Sequence, residues 1–260
     1  MKRIVINADD FGLSVGVSQC IVHLLDAGVV SSTTVMMCAD NLNEVLDSVD
    51  WNPIMGRAGV HLQLTNGRPL TPGKSLTPDG SDTRFLSRES NANYDPKDAE
   101  DEWRAQIELF ERTFGVKPSH IDTHHGFHRD PRYTQTYLKL ARRFDIPVRG
   151  GEEPFLSAMK SAGVLGSTLF VRKWSLKGLP LSHLTDQLRH LAKKATDSDL
   201  IEVTTHPAYV DEALRDVSSQ VGSREHERRC LEELHEQDWL ARHGLDLVDF
   251  TTWASSENHG

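Results

Sequence analysis

The chain runs straight from the apolar segment Ile4-Val5-Ile6 to two adjacent carboxylates, Asp9-Asp10, within Asn7-Ala8-Asp9-Asp10-Phe11-Gly12. The apolar segment reads as a buried strand, and Ser14 stands where a following helix would be capped. Charges at the tip of a buried strand are costly, and two side by side repel unless a cation, a hydrogen-bond donor or a proton lies between them. A capped turn would account for one Asp. The pair asks for a fold in which strand ends open into a polar cleft, as parallel α/β folds do at their carboxyl ends.

The rest of the chain has that rhythm. Apolar or alternating stretches predict strands over 2–8, 33–38, 59–64, 119–123, 146–148, 200–204 and 245–250, with a further one over 168–171 in an ambiguous region. Helical patterns lie between them, at 15–27, 42–49, 132–144, 181–195 and 223–242. The clearest helix opens at Asp95-Pro96 and closes at Gly115, with Trp103, Ile107, Phe110 and Phe114 at helical spacing. No composition break marks a linker. The expectation is α/β, a single domain over 1–260, built as a TIM-barrel-like (βα) barrel of seven or eight parallel strands, with local irregularity. An open doubly wound sheet is the alternative. A polar stretch at about 65–94 is long for a loop and predicts a substrate-side insertion, and about 152–180 forms a variable region.

Composition narrows the function. A net charge of −9 over 260 residues does not suit a binder of nucleic acid. No stretch is apolar for long enough to form a membrane span, and three apolar residues after Met1-Lys2-Arg3 are too few for a signal peptide. A cytoplasmic location is therefore expected. Cys20, Cys38 and Cys230 are far apart and suggest core residues, with no disulfide framework. No glycine-rich phosphate or dinucleotide motif follows the first strand.

Thirteen histidines are the outlier, and several stand at strand ends. His61 lies between Val60 and Leu62. His120, Asp122 and His124 share one face by period two, and Glu202, Thr204 and His206 share another. Asp10, His61 and His124 would form a set of one carboxylate and two imidazoles, which leaves positions open on a divalent cation. Such an ion would acidify a water and polarise a carbonyl oxygen. Asp9 would take the proton from the water and His206 would protonate the leaving group, which fits amide or ester hydrolysis.

Three blocks carry a resemblance: Asn7 to Ser14, Gly28-Val29-Val30-Ser31-Ser32-Thr33-Thr34, and Gly59-Val60-His61-Leu62-Gln63-Leu64-Thr65-Asn66-Gly67-Arg68-Pro69-Leu70. With Lys117 to His125, Ile146 to Arg149, Thr205-His206-Pro207-Ala208-Tyr209, and Arg224 with Glu227, the chain resembles the YdjC-like carbohydrate deacetylases. The resemblance implies a TIM-barrel-like fold, one divalent metal ion (Mg2+ or Zn2+) and hydrolysis of an N-acetyl group from an N-acetylated saccharide substrate. It places Asp10, His61 and His124 as metal ligands, Asp9 and His206 as catalytic groups, and Arg149 facing the substrate. The family often has a histidine two places after the ligand histidine; here Gly126 stands there, flanked by His125 and His128, which are assigned to substrate contacts. A metal-dependent phosphoesterase and a non-catalytic carbohydrate-binding protein are the rival readings. The amphipathic helix from Ser223 would serve a homodimer interface as readily as a barrel wall.

Overall fold

The first strand, β1 (Lys2–Phe11), lies inside one parallel sheet and is buried from Ile4 to Phe11. Burial of consecutive residues means that both faces are covered, as in parallel sheets flanked by helices. The structure, a computed structural model, describes residues 1–78, 84–87, 93–171 and 174–257. After β1 come α1 (Val15–Asp26), β2 (Ser32–Val35), α2 (Leu42–Ser48), β3 (Ala58–Leu62) and α3 (Pro96–Phe114). There follow β4 (Ile121–Thr123), α4 (Pro131–Phe144), α5 (Phe155–Ser161), β5 (Leu169–Phe170), α6 (Leu181–Lys194) and β6 (Leu200–Thr205). The chain ends with α7 (Glu212–Val217), α8 (Gly222–Glu236), α9 (Trp239–Arg242), β7 (Leu245–Leu247) and α10 (Phe250–Glu257).

The strand order is β4-β3-β2-β1-β6-β5, with β7 paired to the start of β1, and every pairing is parallel. Isolated bridges Ile121↔Val148 and Val148↔Gly166 carry the sheet onward from β4 towards the residues that enter β5. The sheet therefore curls into a barrel-like form within a single α/β domain. The described residues form seven strands. The segment 146–148, expected as a strand, contributes only the Val148 bridge, because Pro147 has no N–H to donate to a ladder.

Local chemistry sets the helices. Ser14 Oγ accepts from Val17 N and caps α1. Asp95 accepts from Lys97 N at the start of α3, Pro96 takes the first helical position, and Gly115 closes it at φ 69°. A cap of this kind contributes about 1 kcal/mol. The expected helix over 223–242 is instead two, because Asp238 adopts φ 50° between α8 and α9. Cys230, Leu231 and Leu234 of α8 are buried in this chain's own core. The end of the chain after β7 forms α10, which the strand pattern over 245–250 did not anticipate; Phe250 and Trp253 pack with Val5 and Leu200.

The described parts of the stretch at 65–94 are packed against the domain. Glu102 of α3 accepts from Leu70 N and from Thr71 N and Oγ1, each at 2.8–2.9 Å, and Asp98 accepts from Ser75 N and Oγ at 2.9 and 2.7 Å. Leu76, Phe85 and Tyr94 are buried. Gly67, at φ 92°, passes so close to the Cys38 carbonyl that an added Cβ would lie 1.8 Å from its oxygen. Residues 79–83, 88–92 and 172–173 lie outside the described residues.

Candidate active site

The end of β1 departs from regular strand geometry where the chemistry gathers. Successive strand side chains point to opposite faces, so Asp9 and Asp10 should diverge. The register between β1 and β2 shifts between Ala8 and Phe11, and Asp10 adopts φ 75°. That irregularity turns both carboxylates into one cleft, the use to which bulges beside sites are put. The cleft has a volume of about 1050 Å3 and is bordered by residues following β1, β3, β4 and β6.

Asp10 is fully buried. Its Oδ2 accepts from Arg224 Nη2 at 2.7 Å, while Oδ1 makes no hydrogen bond among the described residues. That oxygen lies 3.3 Å from His61 Nε2 and 3.5 Å from His124 Nδ1, and the two nitrogens are 3.2 Å apart. Donors at about 2.0–2.2 Å from one cation would be separated by about 2.9–3.5 Å. The triangle has that size, and an orphaned buried carboxylate oxygen facing two imidazole nitrogens is the donor set that a divalent cation takes. Burial alone would raise the Asp10 pKa; Arg224 and His124 override it and hold the carboxyl well below the usual range.

His61 is oriented from behind. Its Nδ1 is 2.6 Å from Asp122 Oδ1, which fixes Nδ1–H and turns Nε2 towards Asp10. Thr34 Oγ1 donates to Asp122 Oδ2 at 3.1 Å. Burial would push the His61 pKa down, but Asp122, Asp9 and Asp10 outweigh it and raise it from 6.5 to about 9. His124 goes the other way: burial outweighs Asp10 and lowers its pKa. At neutral pH, His61 therefore carries a proton that a cation must displace. Calorimetry of ion binding near pH 7, in buffers of different ionisation enthalpy, is expected to show about one proton released per ion, with affinity rising as pH climbs towards 9. Without an ion, the raised pKa stabilises the fold fully below pH 6.5, and this gain is lost as pH rises through about 9. Ion binding with no proton release would remove this assignment.

Asp9 is 2% exposed and sits beside this triangle. Arg149 holds it through both terminal nitrogens, Nη1 to Oδ2 at 2.8 Å and Nη2 to Oδ1 at 2.7 Å. Asn7 Nδ2 adds a bond at 2.8 Å. Burial would raise the Asp9 pKa, but Arg149, with His61 and His206, drives it far below the ordinary carboxylate range. His206 Nε2 lies 3.7 Å from Asp9 Oδ2 across the cleft.

Arg149 does more than face the cleft. Its Nη1 is also 2.7 Å from Asp122 Oδ2, and its Nε donates to Glu202 Oε1 at 2.5 Å. Asp9, His61 and Asp122 bring three donors close together as well, but this guanidinium is already paired with both carboxylates. His128 is 1% exposed, with Nδ1 2.6 Å from Thr123 Oγ1 and Nε2 3.2 Å from the Gly150 carbonyl. His125 is exposed on the cleft wall at φ 61°, its Nδ1 2.9 Å from Thr65 Oγ1. Beside it, Gly126 sits at φ 72° under the Arg129 guanidinium; a Cβ there would lie 2.3 Å from Arg129 Nη2. His120, which shares a strand face with Asp122, stays in the interior stacked on Phe250, where burial pushes its pKa down to about 3.

Several residues that build the site drew no role from the sequence. Arg224 and Glu227 lie one turn apart on α8 and are 3% and 1% exposed. A charged pair at that spacing usually reads as a solvated face; here the face is turned inward. Glu202 and Asp122 were legible as polar residues in strands, without a partner.

Comparison with known proteins agrees with this architecture. The family model of the YdjC-like proteins matches residues 3–242. A carbohydrate deacetylase of Vibrio parahaemolyticus is 33% identical over 260 residues, covering 98% of this chain and 97% of its own. A carbohydrate deacetylase of Oceanobacillus iheyensis is 34% identical, covering 92% of this chain and 99% of its own. The crystal structure of an Enterococcus faecalis V583 protein, described as a candidate for cellobiose-phosphate cleavage, superposes with a TM-score of 0.85 at 25% identity, covering 96% of this chain and 98% of the other. With nearly its whole length matched by one family model and by relatives above 30% identity, the chain belongs to the YdjC-like family.

Proposed function

We propose that this chain is a metal-dependent hydrolase that removes the N-acetyl group from an acetylated amino sugar and releases acetate. The observation that carries the reading is the unpartnered, buried Asp10 Oδ1 facing His61 Nε2 and His124 Nδ1. The full-length relatives named carbohydrate deacetylase supply the substrate class. Asp10, His61 and His124 would hold the cation, Mg2+ or Zn2+, which lowers the pKa of a nearby water and polarises a carbonyl oxygen.

The chain's own residues then have defined tasks. Asp9 accepts a proton from the attacking water as the C–O bond forms. Its pairing with Arg149 makes it a weak base but keeps it ionised at all working pH values, which suits a water already acidified. His206, on the other side of the cleft, donates from Nε2 to the amine nitrogen as the C–N bond breaks. Arg149 holds Asp9 in place, and His128, bonded to Thr123 and to the Gly150 carbonyl, packs beneath the cleft. His125, on the exposed wall, is the histidine placed to touch the saccharide.

The test is acetate release from N-acetylglucosamine oligomers by metal-stripped protein, with magnesium or zinc restored. Release is expected only after restoration. Release that survives chelation would overturn the metal assignment. Stoichiometric metal binding with no release from any oligomer would overturn the substrate class.

A further inference from the structure

Helix α8 reaches both sides of the cleft through two buried side chains. Arg224 holds Asp10, and one turn later Glu227 gathers four donors. Thr205 Oγ1 and His206 N each donate to Glu227 Oε2 at 2.8 Å, and Leu176 N donates to Oε1. The fourth is Ser175 Oγ, at 3.3 and 3.4 Å from the two oxygens. Ser175 Oγ is also 2.6 Å from His206 Nδ1. The turn that presents this hydroxyl is strained: Leu176 adopts φ 58°, which a γ-branched residue with a Cβ holds only when its surroundings compel it. The compelling group is Glu227, which takes the Leu176 N–H and the Ser175 hydroxyl together.

We propose that Ser175 is a positioning residue that links Glu227 to His206 and fixes which imidazole nitrogen faces the substrate. The inference rests on the reading of His206 as the proton donor. Glu227, 1% exposed and accepting only, sets the direction of the chain. The Ser175 hydroxyl donates to Glu227 and leaves its lone pair to accept from His206 Nδ1–H. Nδ1 then keeps its hydrogen throughout, and the exchangeable proton is on Nε2, the atom facing the cleft and Asp9. In turnover the Nε2 proton passes to the amine nitrogen as the C–N bond breaks, and the neutral ring retains Nδ1–H. Without the hydroxyl, neutral His206 has no other partner for Nδ1–H among the described residues, and the ring is free to place its hydrogen on either nitrogen.

The experiment compares Ser175→Ala, Ser175→Thr and His206→Ala in the full chain loaded with zinc. The probes are N-acetylglucosamine oligomers and nitrogen-15 histidine NMR. Ser175→Ala is expected to lower kcat by about ten- to a hundredfold with little change in KM, the range typical of a lost outer partner. In the metal-free protein its neutral His206 is expected to change from a single Nδ1–H form to a mixture of tautomers. Ser175→Thr keeps the hydroxyl and is expected to restore both. Wild-type kcat in Ser175→Ala, with His206→Ala inactive, would overturn this proposal alone. Wild-type kcat in His206→Ala would overturn the donor reading beneath it. An Nε2–H form of neutral His206 in the wild-type protein would also overturn the proposal, whatever the substrate.

Discussion

Asp9→Asn is expected to bind one divalent ion per chain as the wild type does, and to lose about 10²- to 10⁴-fold in turnover. Asn matches Asp in shape, so the cleft keeps its form, but the amide cannot accept the proton of the attacking water. Arg149 loses one ionic partner and retains Asp122 and Glu202, so its position holds. Asp10→Asn gives the opposite pattern. It replaces a charged donor atom in the Asp10, His61 and His124 triangle, so ion binding falls together with turnover. Metal content by elemental analysis, read beside acetate release, separates the two carboxylates. Near-wild-type turnover in Asp9→Asn would remove the base assignment. Loss of the ion in that variant would place Asp9 among the ligands.

The contrast between the two neighbours shows what a sequence can and cannot convey about this site. That two carboxylates at a strand tip need a partner follows from charge and burial alone, and His61 and His124 are visible as strand-end histidines. Which oxygen faces which partner depends on the displaced register at Asp10, and no periodicity rule contains that displacement. The alternation of strands and helices was readable because the elements carry their own periods and helices such as α1, α3 and α4 carry side-chain caps. The Val148 bridge was over-read as a strand because a three-residue apolar run looks alike in both settings. Long-range partners were the least visible. Arg224 lies 214 residues from Asp10, and Arg224 and Glu227, noted in the sequence only as part of the resemblance, gained a role once α8 was placed with that face inward. Arg149 was expected at the substrate; it borders the cleft, and the sequence did not show that its charge is bound to carboxylates from three strands, β1, β4 and β6.

That arrangement makes Arg149 the residue whose loss should damage the fold most. Asp9, Asp122 and Glu202 have side-chain exposures of 3%, 0% and 0%, and all three lie within 2.8 Å of its guanidinium. An exposed ion pair contributes about 0–1 kcal/mol. Removing one partner of a buried group is different, because the three buried carboxylates then keep only His61 as a close counter-charge, and the cost is about 3–5 kcal/mol. Arg149→Met fills similar space and isolates that effect. Urea unfolding at pH 7 is expected to show a loss of this size, a large share of the roughly 5–15 kcal/mol that holds a typical domain. The sign of the pH dependence identifies the cause. Without Arg149, burial raises the carboxyl pKa values above those of the unfolded chain. The penalty is then full at neutral pH and shrinks as pH falls and the carboxylates protonate. A packing defect would cost the same at pH 7 and pH 5. Arg149→Lys keeps one charge but cannot span three carboxylates, so its loss should fall between wild type and Arg149→Met. Restoring the cluster's original net charge by adding Glu202→Gln to Arg149→Met should recover part of the loss at pH 7. If the double variant is no more stable than the single one, the buried charge is not what the guanidinium is there to balance.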